Sequence, residues 1–376
     1  MFEPEQSPTL ARGFADNARL FLQPLLMPFA AGRRAMAAGA ALPLAGGPFA
    51  FSAVEATAWD GTNSPRRSLA SVAELRRWAD NENAGTRRPA MTCLNRLTAP
   101  RASINGLLFD RPSIMGILNV TPDSFYDGGK HNSVKAAVAK GRAMLAAGAD
   151  IIDVGGESTR PGATPVGQEE ELARVIPVVK ALAASGARVS IDTRHAAVMR
   201  AAATVGAALI NDVAALSLPG SLEAAAKTGL PVVLMHANAD PRTMQNGPKY
   251  AETALEVFVY LEKRITAAEE VGIPRKSLLV DPGIGFAKTA AHNADVLENV
   301  ALYHGFGCPV LLGPSRKSFI AKFSEEEAVD ERLPGSIAAA IWGASQGVQI
   351  LRVHDVAETA QALAVWRTAS DPAGLR

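Results

Sequence analysis

Polar and charged side chains recur directly after short apolar runs in the second half of this sequence. A single Asp or Asn in such a place is often only a helix N-cap. Capping does not explain the recurrence, because a cap requires neither a lysine nor an arginine. The pattern therefore indicates an active site, and its candidate residues are Asn119, Thr159, Arg160, Asp192, Asn211, His236, Asp281, Lys317, Arg352 and His354.

Four of these side chains suit a flat nitrogen heterocycle. The carboxylates of Asp192 and Asp281 can accept protons from ring N–H and amino groups. The amide of Asn211 can both donate and accept, and the ammonium of Lys317 can donate to a ring nitrogen or a carbonyl. Together they match the edge of an aminopyrimidinone.

A second set suits an anion instead. Arginine forks match the geometry of phosphate oxygens, and the side-chain oxygen of Asn119 can help to bind Mg2+ that phosphates already hold. The two sets together imply a heterocycle that carries a phosphate or pyrophosphate. The anion set comprises Asn119, Thr159, Arg160, Arg352 and His354.

The elements that must position these residues form a repeating pattern from residue 113 onward. Eight short β-rich runs alternate with Ala-rich helical stretches, including 134–147, 169–184, 196–205, 250–271 and 336–345. Such a series predicts a (β/α)8 TIM barrel over residues 111–370, with its active site at the carboxyl ends of the strands. The predicted strands are 114–118, 151–154, 188–191, 208–210, 232–235, 277–280, 310–312 and 349–353.

Glycines mark the opposite end of the predicted barrel. Each glycine follows a predicted helix and precedes a predicted strand, where a helix commonly ends in a left-handed C-cap. The loops at the carboxyl end, 121–129 and 155–167, are instead rich in Gly, Pro, Ser and Thr, and we interpret them as lids. The glycines are Gly148, Gly186, Gly206, Gly229, Gly272 and Gly347.

Residues 1–110 form an N-terminal extension of different texture, and residues 371–376 form a tail. The sequence of the extension predicts a short strand over 49–54 and a helix over 71–79. Ser71 and Glu74 have the spacing of a capping box at the start of this helix. Residues 81–89 are polar and contain Gly and Pro, which predicts a linker. No chemistry is evident in the extension.

Composition narrows the class of protein. The chain is 48% hydrophobic and 20% charged with a formal net charge of +1, which favours a globular protein without general attraction to nucleic acid. The uncharged run 35–54 is not expected to span a membrane, because Gly and Pro interrupt it. Cys93 and Cys308 lack CxxC spacing, so a reducing cytoplasm is expected.

With these residues in place, the barrel resembles dihydropteroate synthase over about residues 113–370. The resemblance implies a transferase of folate biosynthesis. It implies an Mg2+-assisted condensation of 6-hydroxymethyl-7,8-dihydropterin pyrophosphate with 4-aminobenzoate, which gives 7,8-dihydropteroate and pyrophosphate. The matching stretches, in the family's order, are ILNVTPDSF, DVGGESTRPGA, SIDTR, INDV, DPGIGF, SRKS and RVHDVAET.

The resemblance also implies a role for individual residues. The family's pterin pocket falls on Asp192, Asn211, Met235, Asp281 and Lys317. Its contacts to pyrophosphate fall on Asn119, Arg352 and His354, with Asn119 also at the Mg2+. The residues expected to be catalytic are Asp192, Asp281, Lys317, Arg352 and His354, and those expected to face 4-aminobenzoate are Phe125, Thr159, Arg160, Pro161, Phe286 and Ser318.

The sequence departs from the family pattern in two places. The usual GFGK segment is GFAK, so Ala287 would be strained by roughly 1–2 kcal/mol if that backbone is left-handed. The stretch after the fifth strand, MHANADPRTMQ, has Ala237 and Ala239 where the family usually has Met and Gly, which suggests a reshaped pterin pocket floor. Arg316 has no assigned role, and a structural salt bridge is expected for it.

Two alternative functions remain open from the sequence. One is a pterin-binding barrel that serves methyl transfer to a corrinoid, although such a substrate carries no pyrophosphate for SRKS and RVHD to bind. The other is a non-catalytic pterin-binding paralogue.

The family's habit of pairing, together with the Ala-rich stretch 337–342, suggests a homodimer.

Overall fold

The structure is a computed structural model, and it describes residues 18–81, 84–120, 129–157, 166–237, 248–325 and 327–371. Contacts divide the chain into two compact units. One consists of Met1–Arg101, Ala301–Gly307 and Ser370–Arg376, and the other of Ala102–Val300 and Cys308–Ala369. The barrel unit thus begins at Ala102, ahead of the first barrel strand.

The first unit is built on an antiparallel sheet flanked by helices. Its central strand is β3 (Ala50–Trp59). This strand pairs with β1 (Arg19–Met27) along one edge and with β2 (Leu42–Pro43) and β4 (Arg66–Ser71) along the other. Val54 and Ala56 of β3 are buried and the Glu55 between them is not, as expected where one face of the sheet is apolar. In chain order the elements are β1 (Arg19–Met27), α1 (Phe29–Ala37), β2 (Leu42–Pro43), β3 (Ala50–Trp59), β4 (Arg66–Ser71), α2 (Val72–Asn81) and α3 (Ala84–Thr98).

Two predictions for this unit are confirmed and one is wrong. A strand covers 50–59, and α2 opens with the capping box, in which Glu74 N–H donates to Ser71 Oγ and Ser71 N–H donates to Glu74 Oε2. The linker predicted at 81–89 is instead largely the start of α3. Ala90, Leu94 and Leu97 are buried at helical spacing, so packing outweighs the local effect of Pro89.

The second unit alternates strands and helices as the sequence predicts. All eight predicted strands are present, with ends that differ by a residue or so. Its elements are β5 (Ser113–Asn119), α4 (Gly129–Ala146), β6 (Ile151–Gly155), α5 (Gln168–Ala184), β7 (Val189–Asp192), α6 (Ala196–Thr204), β8 (Leu209–Asp212), α7 (Ser221–Thr228), β9 (Val232–Met235), α8 (Thr253–Glu270), a 3-10 helix (Arg275–Ser277), β10 (Leu278–Asp281), α9 (Ala290–Glu298), β11 (Leu311–Leu312), α10 (Ser318–Phe323), α11 (Leu333–Ser345), β12 (Ile350–Val353) and α12 (Val356–Ser370). A second 3-10 helix, Val300–Phe306, lies between α9 and β11.

The eight strands form one parallel sheet that curls into a barrel. Their order is β10-β9-β8-β7-β6-β5-β12-β11. A parallel bridge between Val280 of β10 and Val310 joins the two edges. The fold is therefore the (β/α)8 TIM barrel that the sequence predicts.

The two ends of the barrel differ in character. Near the strand starts, Ile104 and Leu107 pack against an apolar cluster that includes Met115, Ile151 and Ile350. All six glycines predicted as left-handed C-caps have positive φ. Because glycine adopts this conformation without strain, the helix-to-strand turns are relaxed.

Among the helices in the described ranges, none has the length and hydrophobicity needed to cross a bilayer. The uncharged run 35–54 instead contains the end of α1, β2 and the first half of β3. The expectation that this run is not a membrane span is therefore supported by its place in the antiparallel sheet.

Candidate active site

The predicted site residues gather at the carboxyl end of the barrel. Asn119, Met235 and Asp281 end their strands, and Asp192 ends β7 beside Asn211 of β8. Parallel strands of a barrel present these ends on one face, which is where such enzymes build their sites. Lys317 is the N-cap of α10, Arg352 lies in β12, and His354 follows that strand directly.

A half-buried arginine, Arg352, forms the centre of this site. The Nε of Arg352 donates to Asp153 Oδ2 and its Nη2 donates to Asp192 Oδ2, both at 2.6 Å. Burial acts to lower the pKa of Arg352, but the two carboxylates more than offset burial and raise it. The guanidinium therefore stays charged and holds both carboxylates in place.

Asp153 is a site residue that the sequence predictions missed. It lies inside β6, is fully buried, and its Oδ2 also accepts a hydrogen bond of 3.0 Å from Asn211 Nδ2. Its Oδ1 is buried with no hydrogen-bond partner among the described residues. Only strand-end residues are candidates in the sequence, whereas the available signal is an acidic residue within the apolar run IIDVG.

Burial dominates the electrostatics of Asp192. It raises the pKa of this carboxyl to about 8, with Arg352 acting against the rise and Asp153 adding to it. Burial similarly raises the pKa of Asp281, against the opposing effect of Lys317. Burial therefore disfavours the charged form of both carboxyls, and the neighbouring cations act against that effect.

Lys317 reaches into the site over the loop that follows β10. Its ammonium donates to the carbonyl of Ile284 and lies 4.2 Å from the centroid of the Phe286 ring, in cation–π geometry. Burial lowers the pKa of Lys317 to about 7, while Asp281 acts in the opposite direction. A Cβ on Gly285 would lie 2.5 Å from the Lys317 side chain, so this approach requires glycine.

A different lysine, Lys288, is buried and supports that loop from within. The sequence predictions missed this residue. The ammonium of Lys288 lies 2.9 Å from the Gly283 carbonyl, 3.1 Å from the Phe286 carbonyl and 2.9 Å from His236 Nδ1. Burial lowers the pKa of Lys288 to about 7. Its role depends on a contact between two strand-end loops, and nothing local in GFAK indicates that contact.

The left-handed backbone on which the expected strain at Ala287 depends is present. Its φ is 47°, in the left-handed region, and its carbonyl accepts a hydrogen bond of 3.0 Å from Tyr250 Oη. Ala287 also belongs to a small apolar cluster with Val213, Met235 and Phe286. This cluster, which we call the apolar wall, brings together Met235 and Phe286, although the sequence places them on the pterin and aminobenzoate sides.

The remaining predicted residues lie around this centre. His354 Nδ1 is 3.0 Å from Ser315 Oγ, and Ser318 begins α10 with its side chain exposed. The salt bridge expected for Arg316 is confirmed, because its guanidinium forms an ion pair with Asp355. Outside the described residues lie Phe125, Thr159, Arg160, Pro161 and Ala239.

The amino-acid sequence of this chain is similar to the sequences of known proteins. Residues 115–354 match the family described as pterin binding enzyme. Dihydropteroate synthase of Escherichia coli K12 is 53% identical over 255 residues, which are 68% of this chain and 90% of that protein. Dihydropteroate synthase of Haemophilus influenzae is 46% identical over 261 residues, which are 69% of this chain and 94% of that protein.

Solved structures show the same likeness. Dihydropteroate synthase of Xanthomonas albilineans in complex with 7,8-dihydropteroate is 46% identical, with a TM-score of 0.66 over 72% of this chain and 99% of that one. The same enzyme with 4-aminobenzoic acid is 48% identical, with a TM-score of 0.68 over 72% of this chain and 98% of that one.

The left-handed backbone of Ala287 leads to a stability prediction. Ala287→Gly removes a strain of roughly 1–2 kcal/mol but adds flexibility to the unfolded chain, so we expect a net gain of about 0.5–1 kcal/mol. The midpoint of urea unfolding measures it. The control is Ala136→Gly at an exposed position of α4, which should destabilise by about 0.5–1 kcal/mol. Equal losses in both variants would show that Ala287 is unstrained.

Proposed function

The chain belongs to the pterin-binding enzyme family, as a dihydropteroate synthase, and from that membership we propose how its residues share the work of the reaction. The reaction condenses 6-hydroxymethyl-7,8-dihydropterin pyrophosphate with 4-aminobenzoate to give 7,8-dihydropteroate and pyrophosphate. The observation that carries the proposal is the buried network in which Arg352 holds Asp153 and Asp192 beside Asn211. It presents fixed acceptors and donors at one end of the barrel.

The pterin ring binds with its polar edge against this network. Asp192 and Asp281 accept from the ring N–H and amino groups, Asn211 donates and accepts, and Lys317 donates to a ring nitrogen or carbonyl. The ring face packs against Met235 of the apolar wall. The support is that Asp192, Asn211, Met235 and Asp281 are all buried at the carboxyl ends of neighbouring strands, where a hydrogen bond is stronger than in water.

The pyrophosphate binds toward Asn119, Arg352 and His354. Arg352 uses two of its N–H groups on carboxylates, and a guanidinium has five, so others are available for phosphate oxygens. Positive charge there stabilises the leaving group as the bond to the pterin methylene breaks. Asp192 and Asp281 stabilise the cationic methylene that remains. The amine of 4-aminobenzoate attacks it to form the C–N bond and releases one proton to solvent.

The 4-aminobenzoate is held on the outer side of the site. Ser318 at the start of α10 and Phe286 are the described residues on this side. Positioning matters more here than a general base, because the arylamine is an adequate nucleophile for a cationic carbon. Phe125, Thr159, Arg160 and Pro161 complete the proposed set.

We propose Mg2+ as the cofactor, bound jointly by the pyrophosphate and by the side-chain oxygen of Asn119. Within the described ranges, no group of three or more His, Cys, Asp or Glu residues could hold a metal ion. A single oxygen at the end of β5 suits Mg2+, which usually binds through substrate phosphates and few protein groups. When bound, Mg2+ neutralises charge on the leaving pyrophosphate.

We further propose a homodimer in the reducing cytoplasm. Trp342 of α11 is 46% exposed, and such an exposed aromatic residue suits a contact between two copies. The absence of CxxC spacing at Cys93 and Cys308 suits a reducing compartment. A monomer mass in sedimentation at micromolar protein would overturn the dimer, and recovery of the protein outside the cytoplasmic fraction would overturn the location.

The proposed reaction is tested by turnover. Purified protein with dihydropterin pyrophosphate, 4-aminobenzoate and Mg2+ should release pyrophosphate at a rate that rises with aminobenzoate concentration. Chelation with EDTA should abolish release, and added Mg2+ should restore it. Tight pterin binding without any turnover would contradict the synthase function and favour a non-catalytic paralogue, whereas turnover unaffected by EDTA would contradict only the Mg2+ proposal.

The lowered pKa of Lys317 predicts a pH dependence. Its ammonium is present below pH 7 and lost above, so kcat/KM for the pterin substrate should fall by up to about tenfold per pH unit above the pKa. Lys317→Arg keeps its charge and should move this fall to higher pH. Lys322→Arg in the same helix is the control and should leave the profile unchanged. Superimposable normalised profiles of Lys317→Arg and wild type would contradict the assignment.

A further inference from the structure

The turn that follows β8 contains two consecutive side-chain-bearing residues in the left-handed conformation. Ala215 has a φ of 50° and Leu216 a φ of 57°, and both are buried. Residues other than glycine adopt this conformation rarely, and then usually singly. Such a turn persists only where the surrounding structure holds it.

Asp212 holds the turn by its N–H groups. Its Oδ1 accepts from Ala214 N–H at 2.7 Å and its Oδ2 accepts from Leu216 N–H at 2.8 Å. The backbone carbonyl of Asp212 also accepts from Ala215 N–H at 3.0 Å. The carboxylate is fully buried, so its oxygens are committed to this turn.

Arg264 of α8 holds the same turn by its carbonyl groups. Its Nε donates to the carbonyl of Ala215 at 2.7 Å and its Nη2 donates to the carbonyl of Leu216 at 2.8 Å. The two strained residues are thus fixed from a strand end on one side and from a helix on the other. We call Asp212 and Arg264 the clamp.

The clamp lies between two parts of the site. Asn211 precedes Asp212 and donates to Asp153, and Val213 follows Asp212 and belongs to the apolar wall with Met235 and Phe286. A glycine turn could reverse the chain here without strain. A strained turn held from two elements instead fixes the backbone of its neighbours in a single arrangement.

We propose that Asp212 and Arg264 are positioning residues for the pterin, because their clamp fixes Asn211 at the edge of the ring and Val213 at its face. Neither residue touches the substrate in this arrangement. The inference rests on the proposed function, since it takes the ligand of Asn211 to be the pterin of the substrate.

The test compares substrate binding in Arg264→Met and in Lys263→Met. Methionine keeps much of the apolar length of arginine but cannot donate, and Lys263 is exposed on the same helix. The probe is dihydropterin pyrophosphate with Mg2+ and without 4-aminobenzoate, measured by calorimetry well below the unfolding temperature. Arg264→Met should raise Kd roughly tenfold, which is about 1.4 kcal/mol, and Lys263→Met should not change it.

A second variant separates the clamp from a general loss of stability. Ala215→Gly relieves the strain at this position, so it should recover a substantial part of the lost affinity when added to Arg264→Met. An unchanged Kd in Arg264→Met, even with a lower unfolding temperature, would reduce Arg264 to a structural role and overturn the inference. A raised Kd without recovery by Ala215→Gly would also overturn it.

Failure of the proposed function gives a different result. Wild-type protein would then fail to bind dihydropterin pyrophosphate at all, and that outcome would remove both the function and this inference. Tight wild-type binding that Arg264→Met leaves unchanged would remove the inference alone.

Discussion

One half-buried guanidinium ties together three strands at the carboxyl end of the barrel. Arg352 of β12 binds Asp153 of β6 and Asp192 of β7, and in the strand order β5 and β6 lie between β12 and β7. Removing such charges from water costs several kcal/mol per ion unless each is paired and hydrogen-bonded. The network therefore forces these strand ends to converge, and it makes the interior polar at this end.

The same network sets the charge available to a substrate. The carboxyl groups of Asp192 and Asp281 interact with the cations Arg352, Lys317 and Lys288. Burial raises the pKa of Asp192 to about 8, and the charge of Arg352 acts against that rise. A site built only from ionised carboxylates would repel an anionic substrate, whereas this one can bind a heterocycle and its pyrophosphate together.

The sequence predicts the barrel well because each barrel element has its own local pattern. Apolar runs, Ala-rich helices and glycine C-caps recur in register, and the Arg316 salt bridge is also confirmed. Asp153 and Lys288 were missed because their roles depend on contacts across the barrel end, with Arg352 and His236. Helix α3 was missed because its buried stripe outweighs its unfavourable composition.

The two ends of the barrel differ in the residue types that adopt the left-handed backbone conformation. The six C-cap positions near the strand starts are glycines, whereas after β8, β10 and β11 the left-handed positions include Ala215, Leu216, Ala287 and Arg316. Each strained turn is hydrogen-bonded by a side chain of another element.

Arg264 holds the turn after β8, Tyr250 Oη donates to the Ala287 carbonyl, and Ser336 Oγ accepts from Arg316 N–H. Glycine at these positions would remove the backbone strain of each turn but would allow the turn to adopt several conformations. Side-chain-bearing residues that other elements hold in place leave one conformation, at the cost of local strain. In the described part of the barrel unit, the other left-handed residue with a side chain is Asn105, and asparagine adopts this conformation readily. The strained positions of that unit therefore lie in the loops that carry the proposed site, where the reaction needs fixed distances between groups.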